Sequence, residues 1–289
     1  MMKLVRDKQD ICRLIRTWQN EGQKVALVLT MGGIHDGHLA LMRHAGSMAD
    51  KVVVSIYVNP TQFAAGEDFE RYPRGLEADM TQIAALDKVH ALFAPTSFYH
   101  RDHATSVVPA GAATGLEAEA RPHFFGGVAT VVLKLFMAMP ADIAVFGEKD
   151  YQQLAVIRQM VRDLDIPIQI EGLATVRAEN GLALSSRNQY LTPEHAQIAP
   201  LLYQRLKEAA ADMQQGRPVS AVLEAATRKL HQDGFASVDY VTLVAPETLT
   251  PIDQLDGQLD GQLVGQARLL AAVWLGQTRL IDNIGVSIG

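Results

Sequence analysis

Short apolar runs recur between helical stretches in the first part of the chain, and this alternation constrains the fold more than any other feature. Runs of strand length lie at residues 24–30, 51–58 and 142–147. Unbroken apolar runs of this length are typical of parallel strands that are buried on both faces. The repeated strand–helix units therefore predict an α/β fold with a doubly wound parallel sheet. Ligands of such sheets bind beyond the carboxyl ends of the strands, so we expect a site in the loops that follow these runs.

The pattern of elements changes after residue 175. We predict a larger α/β domain at residues 1–175 and a smaller C-terminal α+β domain at residues 176–289. A tandem tetrad at 255–266, LDGQ-LDGQ-LVGQ, is too short for a repeat architecture and is interpreted as a surface loop. The predicted strands are residues 24–30, 51–58, 89–94, 142–147, 166–172, 237–244 and 268–280, and the predicted helices are 38–49, 74–86, 128–139, 150–164, 193–215 and 218–233.

Composition and charge argue against several classes of protein. The 289 residues are 48% hydrophobic and 20% charged, which is typical of a globular protein. The net charge of -6 gives no summed positive field, so we expect no general binding of nucleic acid or of membrane surfaces. The single cysteine, Cys12, cannot form an internal disulfide, and the longest apolar stretch, 128–139, is too short to span a bilayer. The N-terminal residues lack the apolar core of a signal peptide, so we expect a cytoplasmic protein.

The first polar cluster, TMGGIHDGH, occupies residues 30–38, where a predicted strand gives way to a helix. His35 and His38 are three residues apart, a spacing that places two side chains on one helical face. The glycines between strand and helix allow the backbone to approach a ligand, and a helix N-terminus favours a phosphate. His-x-Gly-His after a glycine-rich turn therefore indicates nucleotidyl transfer. A pair of metal ligands and a set of ordinary turn residues are the alternatives.

The second cluster follows the second strand and contains Asn59, Pro60, Thr61 and Gln62. Carboxamide side chains both donate and accept hydrogen bonds, so Asn59 and Gln62 suit the hydroxyls and the carboxylate of a small acid. Asn-Pro is also a common turn, and a purely structural role is the alternative.

The third cluster, FGEKDYQQ, occupies residues 146–153 at the end of another predicted strand. Lys149 is expected at the entrance of the next helix, where its charge suits a phosphate. Asp150 is an acceptable N-cap for that helix, which is its structural alternative. Gln153 lies one turn further along and is expected to face the same way.

The fourth cluster is Leu184, Ser185, Ser186, Arg187 and Asn188, which follows an Asn-Gly pair. Two hydroxyls and a guanidinium in such a loop form a mobile clamp for phosphate groups. A polar loop between domains is the alternative. Together the four clusters predict a crevice that activates a small carboxylate with ATP.

In this order along the chain, the clusters closely resemble the pantoate–β-alanine ligase (pantothenate synthetase) family. The resemblance covers nearly the whole chain, and its motifs are specific to this ligase rather than to nucleotidyltransferases at large. The matching segments are TMGGIHDGHLAL (30–41), SIYVNPTQF (55–63), RYPRGLEAD (71–79), GVATVVLKLF (127–136), VFGEKDYQQLAVIRQMVRDL (145–164), ENGLALSSRN (179–188) and TRLIDNIGV (278–286).

The resemblance implies a Rossmann-like N-terminal domain, a smaller C-terminal domain that acts as a lid, and a homodimer. It also implies a reaction in two steps. Pantoate and ATP form an enzyme-bound pantoyl adenylate and pyrophosphate, and the amine of β-alanine then displaces AMP to give pantothenate. Mg²⁺ is expected with ATP, while the protein ligands of a metal are not identified.

Positions matching the family motifs imply roles for individual residues. His35, His38, Lys149 and Arg187 are implied to be catalytic through their contacts with the phosphates. Asn59, Gln62 and Gln153 are implied to bind pantoate. The implied ATP-binding residues are Met31, Gly32, His35, His38, Gly147, Lys149, Asp150, Leu184, Ser185, Ser186 and Arg187.

The chain departs from the family pattern most clearly at residues 121–127, RPHFFGG. Phe124 and Gly126 stand where the family has His and Arg, and His123 lies one position before the family's His. Further departures are Leu29 in place of Pro and residues 64–66, Ala-Ala-Gly, in place of Gly-Pro-Asn.

Two other functions stay open at this point. An adenylyltransferase that passes AMP to a phosphate acceptor is compatible with the His-x-Gly-His loop, although the second and third clusters argue against it. A degenerate, non-catalytic ATP-binding protein is supported only by the departures at 121–127.

Overall fold

A computed structural model of the chain describes residues 2–64, 67, 69–253 and 266–287. The interpretation of residues 255–266 as a surface loop therefore lies outside the described residues, except that Gln266 begins a strand. The departure at 64–66 also lies outside them, apart from Ala64.

The first sheet has six parallel strands in the order β1-β4-β3-β2-β5-β6. This confirms the predicted doubly wound α/β fold. The sequence pattern missed β1, because three residues with two exposed side chains carry no buried-strand signal. The strands are β1 (Lys3–Val5), β2 (Val25–Thr30), β3 (Lys51–Ile56), β4 (Ala91–Phe93), β5 (Ile143–Gly147) and β6 (Gln169–Leu173).

Helices cover both faces of this sheet. Successive residues of a strand point to opposite faces, so Leu27 of β2 packs in one apolar core and Val28 in the other. Helices α1, α5 and α6 contribute to the first core, and α2 and α3 contribute to the second. The helices are α1 (Lys8–Asn20), α2 (Asp36–Met48), α3 (Leu76–Ala84), α4 (Glu117–Ala120), α5 (Phe124–Ala138) and α6 (Tyr151–Asp163).

The described residues of the later part of the chain form three helices and a three-stranded antiparallel sheet in the order β7-β8-β9, consistent with the predicted α+β class. The helices enclose an apolar core against the sheet, separate from the cores of the parallel sheet. The elements are α7 (Pro193–Ile198), α8 (Leu201–Gln214), α9 (Val219–Gln232), β7 (Ser237–Val244), β8 (Gln266–Leu275) and β9 (Thr278–Ser287).

Two predicted elements in this part are wrong. The single helix predicted at 193–215 is divided, because Pro200 has no N–H to donate and stands as the residue before α8. The single strand predicted at 268–280 is a hairpin whose strands β8 and β9 pair antiparallel. Its turn contains Gly276 at φ 59°, a conformation that favours glycine.

Contacts between residues divide the chain into two compact units. The first unit runs to Glu148 and resumes over Gln152–Ala174, and the second comprises Lys149–Tyr151 and the chain from Thr175 onward. The functional roles predicted for residues 1–175 and 176–289 stay predictions. Within the described part of the chain, no helix has both the length and the apolar character that crossing a membrane requires.

Candidate functional site

The order of the first sheet brings three of the predicted loops to one edge. Strands β3, β2 and β5 are neighbours and run in the same direction, so their carboxyl ends lie side by side. The chain moves outward from β2 through β3 on one side and continues with β5 on the other. The space between β2 and β5 is therefore a topological switch point, the place where open α/β sheets bind ligands.

The loop after β2 is shaped by two glycines and one hydroxyl. Gly32 and Gly33 have φ angles of 90° and 63°, which side chains with a Cβ rarely adopt. The hydroxyl of Thr30 donates to the carbonyl of Ser55 (2.8 Å) and accepts from the N–H of Gly32 (3.3 Å). The loop therefore leaves the sheet in a fixed direction.

A buried carboxylate on α3 holds the same loop from the other side. Asp79 is 5% exposed, and its oxygens accept from the N–H groups of Gly33 (3.1 Å) and Ile34 (2.9 Å). Asp79 is absent from the residues predicted from the sequence. The sequence did contain a signal for Asp79, which lies on the same helical face as the apolar residues Leu76 and Ile83. A carboxylate on such a face is buried and needs hydrogen-bond partners inside the protein.

The two histidines begin α2 with reciprocal contacts to its backbone. His35 is the N-cap, and its Nδ1 accepts from the N–H of Gly37 (3.1 Å). His38 is the third helical residue, and its Nδ1 accepts from the N–H of His35 (3.4 Å). Because Nδ1 is the acceptor in both rings, the neutral rings carry their protons on Nε2.

The histidine rings lie against one another, with centroids 4.1 Å apart and planes inclined by 37°. Only His38 is inside the helix, so the shared helical face inferred from their spacing is not what joins them. The cap joins them instead, because each ring turns back toward the helix N-terminus. The arrangement places the two imidazole rings side by side at the carboxyl edge of β2.

The side chain of Asn59 is buried in the loop after β3, with 1% of its surface exposed. Its Oδ1 accepts from the hydroxyls of Thr61 (3.0 Å) and Tyr99 (3.1 Å). Its Nδ2 donates to the Oε1 of Gln62 (3.1 Å) and to the carbonyl of Gly127 (3.2 Å). Both N–H bonds of the Asn59 carboxamide are therefore used within the protein.

Gln62 is held by this contact and by the thioether of Met31. Its Oε1 accepts from Asn59, and its Nε2 lies 3.0 Å from the sulfur of Met31. Two clusters that are separate in the sequence thus meet in the first unit, because β2 and β3 are adjacent.

Arg121 supports the backbone of Gln62, a role that no sequence motif indicated. Its guanidinium donates to the carbonyl of Gln62 (3.0 Å) and makes two hydrogen bonds to the carboxylate of Glu67 (2.8 and 2.6 Å). The ring of Phe124 lies 3.9 Å from the guanidinium carbon, measured to the ring centroid. Phe124, where the chain departs from the family pattern, therefore packs against this arginine, while His123 is exposed before α5.

Helix α5 approaches the Asn59 loop so closely that only glycine fits at residue 127. A Cβ on Gly127 would lie 2.4 Å from the carbonyl oxygen of Thr61, well inside van der Waals contact. At the neighbouring Gly126 the nearest atom would be the carbonyl oxygen of Val107, at 3.5 Å. The close approach brings the carbonyl of Gly127 within reach of Asn59.

The loop after β5 leads into α6 through a 3-10 turn, Glu148–Asp150. Gln153 is partly buried in the first turn of α6. Its neighbour Gln152 is buried and accepts from the N–H of Glu117 (3.0 Å), so Gln152 has a structural role. Within the described residues, nothing lies within 4 Å of a Cβ placed on Gly147.

Lys149 and Asp150 belong to the second unit. The Nζ atom of Lys149 lies 3.6 Å from Oδ1 of Asp150, and the lysine side chain is 19% exposed. The carbonyl of Lys149 accepts from Nδ2 of Asn283 on β9 (3.0 Å). The backbone of Lys149 is therefore anchored to β9 within the second unit.

The fourth cluster, also in the second unit, follows a short antiparallel turn formed by residues 176–184. Leu184 donates through its N–H to the carbonyl of Val176 (3.0 Å), and Ser186–Tyr190 forms a 3-10 turn. The hydroxyl of Ser185 caps this turn by accepting from the N–H of Arg187 (3.3 Å). The side chains from 184 to 187 are partly buried.

No group of three or more His, Cys, Asp or Glu side chains in the described part of the chain could hold a metal ion. The alternative of a His–His metal pair therefore gains no further ligands there.

Comparison with known proteins identifies a family. The family model described as pantoate-beta-alanine ligase matches residues 3–285. A pantothenate synthetase from Caulobacter vibrioides is 47% identical, with 98% of both chains covered. Another, from Rhizorhabdus wittichii, is 49% identical, with 99% of both chains covered.

Solved structures agree with the sequence comparison. Pantothenate synthetase from Thermus thermophilus is 41% identical, covers 98% of this chain and 99% of its own, and superposes with a TM-score of 0.89. The ligase from Francisella tularensis, a complex with beta-gamma ATP and beta-alanine, is 33% identical, covers 98% and 97%, and has a TM-score of 0.79. The chain therefore belongs to the pantoate–β-alanine ligase family.

Proposed function

We propose that this protein condenses pantoate with β-alanine at the expense of ATP, through a pantoyl adenylate. The observation that carries the proposal is that two sets of oriented polar side chains follow the adjacent strands β2 and β3. The histidine pair after β2 presents Nε2–H groups, and Gln62 after β3 presents a fixed carboxamide. One set suits a phosphate and the other a small acid.

In the first step the carboxylate of pantoate attacks the α-phosphorus of ATP, and pyrophosphate leaves. His35 and His38 donate from Nε2 to the α-phosphate oxygens, where negative charge develops as the new bond forms. Donors that are already in place stabilise such charge without reorganisation. Their Nδ1 atoms accept from backbone N–H groups at the start of α2, which leaves Nε2 as the protonated nitrogen of each neutral ring.

Pantoate is bound by Gln62, Gln153 and Asn59 in this proposal. Gln62 and Gln153 make the direct contacts. Asn59 contributes indirectly by holding the carboxamide of Gln62, because its own carboxamide is buried and both of its N–H bonds are used within the protein. Met31 lines the same position through its contact with Gln62.

The phosphates of ATP are held by charged groups and by hydroxyls. Lys149 and Arg187 bind as cations, and the remaining residues supply hydroxyl and backbone contacts or line the nucleotide. Mg²⁺ accompanies ATP and neutralises charge on its phosphates, as is usual for an ion held mainly by substrate oxygens. The remaining proposed ATP-binding residues are Gly32, Gly147, Asp150, Leu184, Ser185 and Ser186.

In the second step the amine of β-alanine attacks the acyl carbon of the adenylate, and AMP leaves. Both nucleophiles belong to substrates, so no protein side chain has to form a covalent bond. Positioning and electrostatic stabilisation therefore supply most of the acceleration.

The test is release of pyrophosphate and AMP by the purified protein with ATP, Mg²⁺ and pantoate, with and without β-alanine. We expect pyrophosphate release to require pantoate, and AMP release with pantothenate formation to require β-alanine. A stable adenylylated product on a phosphate acceptor would establish the adenylyltransferase instead. ATP binding without pantoate-dependent pyrophosphate release would establish a non-catalytic protein.

We further propose that the protein is a cytoplasmic homodimer. Val108 and Met137 are apolar and 86% and 71% exposed. Residue 108 follows Val107, whose N–H donates to Thr130 of α5 (2.8 Å), and Met137 lies on the same helix. Exposed apolar side chains favour association when a partner covers them. Sedimentation equilibrium should give about twice the mass of the 31.5 kDa chain.

A further inference from the structure

We propose that Tyr99 is a positioning residue for pantoate, acting through Asn59 and Gln62. The proposal rests on the proposed function of Gln62 as a pantoate ligand. The hydroxyl of Tyr99 lies 3.1 Å from Oδ1 of Asn59, which lies in turn one hydrogen bond from Gln62. The hydroxyl of Tyr99 therefore adds a restraint to the Asn59 carboxamide and, through it, to the carboxamide of Gln62 that meets the substrate.

Backbone groups determine the orientation of Asn59. The carbonyl of Gly127 can only accept, so the atom of Asn59 that faces it is Nδ2 (3.2 Å). The N–H of Thr61 can only donate, so the atom that faces it is Oδ1 (3.4 Å). The hydroxyl of Tyr99 must then donate to Oδ1, because a carboxamide oxygen has no proton to give.

The orientation passes on to Gln62. Nδ2 of Asn59 donates to Oε1 of Gln62 (3.1 Å), which leaves Nε2 of Gln62 on the side of Met31 (3.0 Å from the sulfur). A thioether is a weak acceptor, so an acid oxygen replaces it with a gain in hydrogen-bond strength. The site therefore selects a ligand that offers an acceptor oxygen to Gln62.

Tyr99 is itself held in place by its surroundings. The ring of Phe98, which is 2% exposed, meets it edge to face with centroids 6.4 Å apart. The ammonium of Lys134 lies 4.9 Å from the centroid of the Tyr99 ring and 5.4 Å from that of Phe98. Burial raises the pKa of the Tyr99 hydroxyl, so it stays protonated and able to donate at neutral pH.

The decisive variant is Tyr99→Phe, which removes only the hydroxyl. Oδ1 of Asn59 then keeps its contacts with Thr61 and loses the hydrogen bond from Tyr99. The carboxamides of Asn59 and Gln62 are therefore held less firmly in one orientation. Besides the hydrogen bond to Asn59, the variant loses the longer contact with the Thr61 hydroxyl (3.4 Å). This loss predicts a rise in KM and Kd for pantoate of about fivefold, with kcat and the KM for ATP within about twofold.

Tyr57→Phe is the matched control. Tyr57 lies beside Tyr99, with ring centroids 6.4 Å apart, and burial raises the pKa of its hydroxyl to about 12. We expect its KM for pantoate to equal that of the wild type. The Kd for pantoate is measured by titration calorimetry as well, so binding is read independently of turnover.

Repeating Tyr99→Phe in an Asn59→Ala variant distinguishes a positioning role of the Tyr99 hydroxyl from a general effect on packing. In Asn59→Ala, Tyr99→Phe should add no further rise in the KM or Kd for pantoate, because the link to Gln62 is already broken. Equal effects of Tyr99→Phe in both backgrounds, or an equal rise in the KM for ATP, would overturn the proposal. Wild-type protein without pantoate-dependent turnover would instead refute the proposed function on which the proposal rests.

Discussion

At the scale of single residues, the polar side chains of the first unit depend on backbone atoms that are distant in sequence. Gly127 provides the carbonyl that orients Asn59, and its missing Cβ allows α5 to reach the loop. Asp79 fixes the N–H groups of Gly33 and Ile34 in the same manner. Gly127 and Asp79, for which we expect no contact with substrate, thus set the geometry of loops that carry proposed substrate ligands.

The first prediction concerns Gly127→Ala. The added methyl group would meet the carbonyl oxygen of Thr61 at 2.4 Å, so the loop or the helix must move and the Asn59 contact lengthens. We expect the KM for pantoate to rise at least about tenfold and the free energy of unfolding to fall by about 1–3 kcal/mol. Gly126→Ala is the control, because its nearest neighbour lies at 3.5 Å. Equal kinetics for the two variants would contradict the interpretation.

The second prediction concerns Lys149→Ala. Loss of one preformed cation on the phosphates should lower kcat/KM by about 10²–10³-fold while the fold stays intact. Steady-state kinetics and a thermal melt together make the measurement, and Lys3→Ala, an exposed lysine of β1, is the control. Turnover near that of the wild type in a folded variant would remove Lys149 from the mechanism.

Local chemistry explains which site residues could be predicted from the sequence. The proposed roles of His35, His38, Asn59 and Gln62 follow from strand position and side-chain type, because these residues stand in short segments after recognisable strands. Arg121 acts on a residue 59 positions away. No local pattern predicts that contact, because it depends on how α5 packs against the loop.

At the scale of elements, α8 and α9 are joined by a network of charged groups. Arg205 of α8 contacts Glu208 (2.8 Å) and Asp233 (2.6 Å), and Lys229 of α9 contacts Glu208 (2.9 Å). The hydrogen bond from Lys229 is the main cause that lowers the pKa of Glu208 to about 2. The network ties the two helices together over their apolar contact.

The third prediction follows from this lowered pKa. The folded pKa lies below that of an unfolded Glu, about 4.3, so the stabilisation is present above that pH and is lost as pH falls toward 2. Because Glu208 is about one-third exposed, we expect Glu208→Gln to cost only about 0.5–1 kcal/mol at pH 7. Urea unfolding at pH 7 and pH 3 makes the measurement. Glu224→Gln, in an exposed pair with Arg228, is the control, and an equal cost there would contradict the argument.

Periodicity predicts most elements and fails where one residue interrupts a continuous pattern. The apolar spacing continues through Pro200, so the pattern predicts one helix where two exist. Gly276 likewise lies inside an apolar stretch that the pattern predicts as a single strand. In both cases the backbone chemistry of one residue outweighs the pattern of its neighbours.

At the scale of the whole molecule, the two compact units have separate apolar cores, one on each face of the parallel sheet in the first unit and a single core in the second. Leu206 is fully buried in the second unit, and Leu27 is fully buried in the first. Among the described residues, the core of the second unit shares none with either core of the first. Local stability can therefore differ between the units.

The fourth prediction uses this separation. Leu206→Ala should cost about 2–5 kcal/mol, and amide hydrogen exchange should accelerate more in β8 than in β2. Leu27→Ala is the reciprocal variant, with the opposite pattern expected. Equal acceleration of β2 and β8 in both variants would show that the units unfold as one cooperative block.

The carbonyl of Gly127 also has a consequence for synthesis of the chain. Every side chain from His35 to Gln62 leaves the ribosome long before residue 127 does, yet the carboxamide of Asn59 needs that carbonyl and the loop after β2 needs Asp79. A nascent chain arrested before residue 127 thus carries Asn59 and Gln62 without the carbonyl that orients the Asn59 carboxamide. That part of the second cluster acquires its arrangement only when α5 docks.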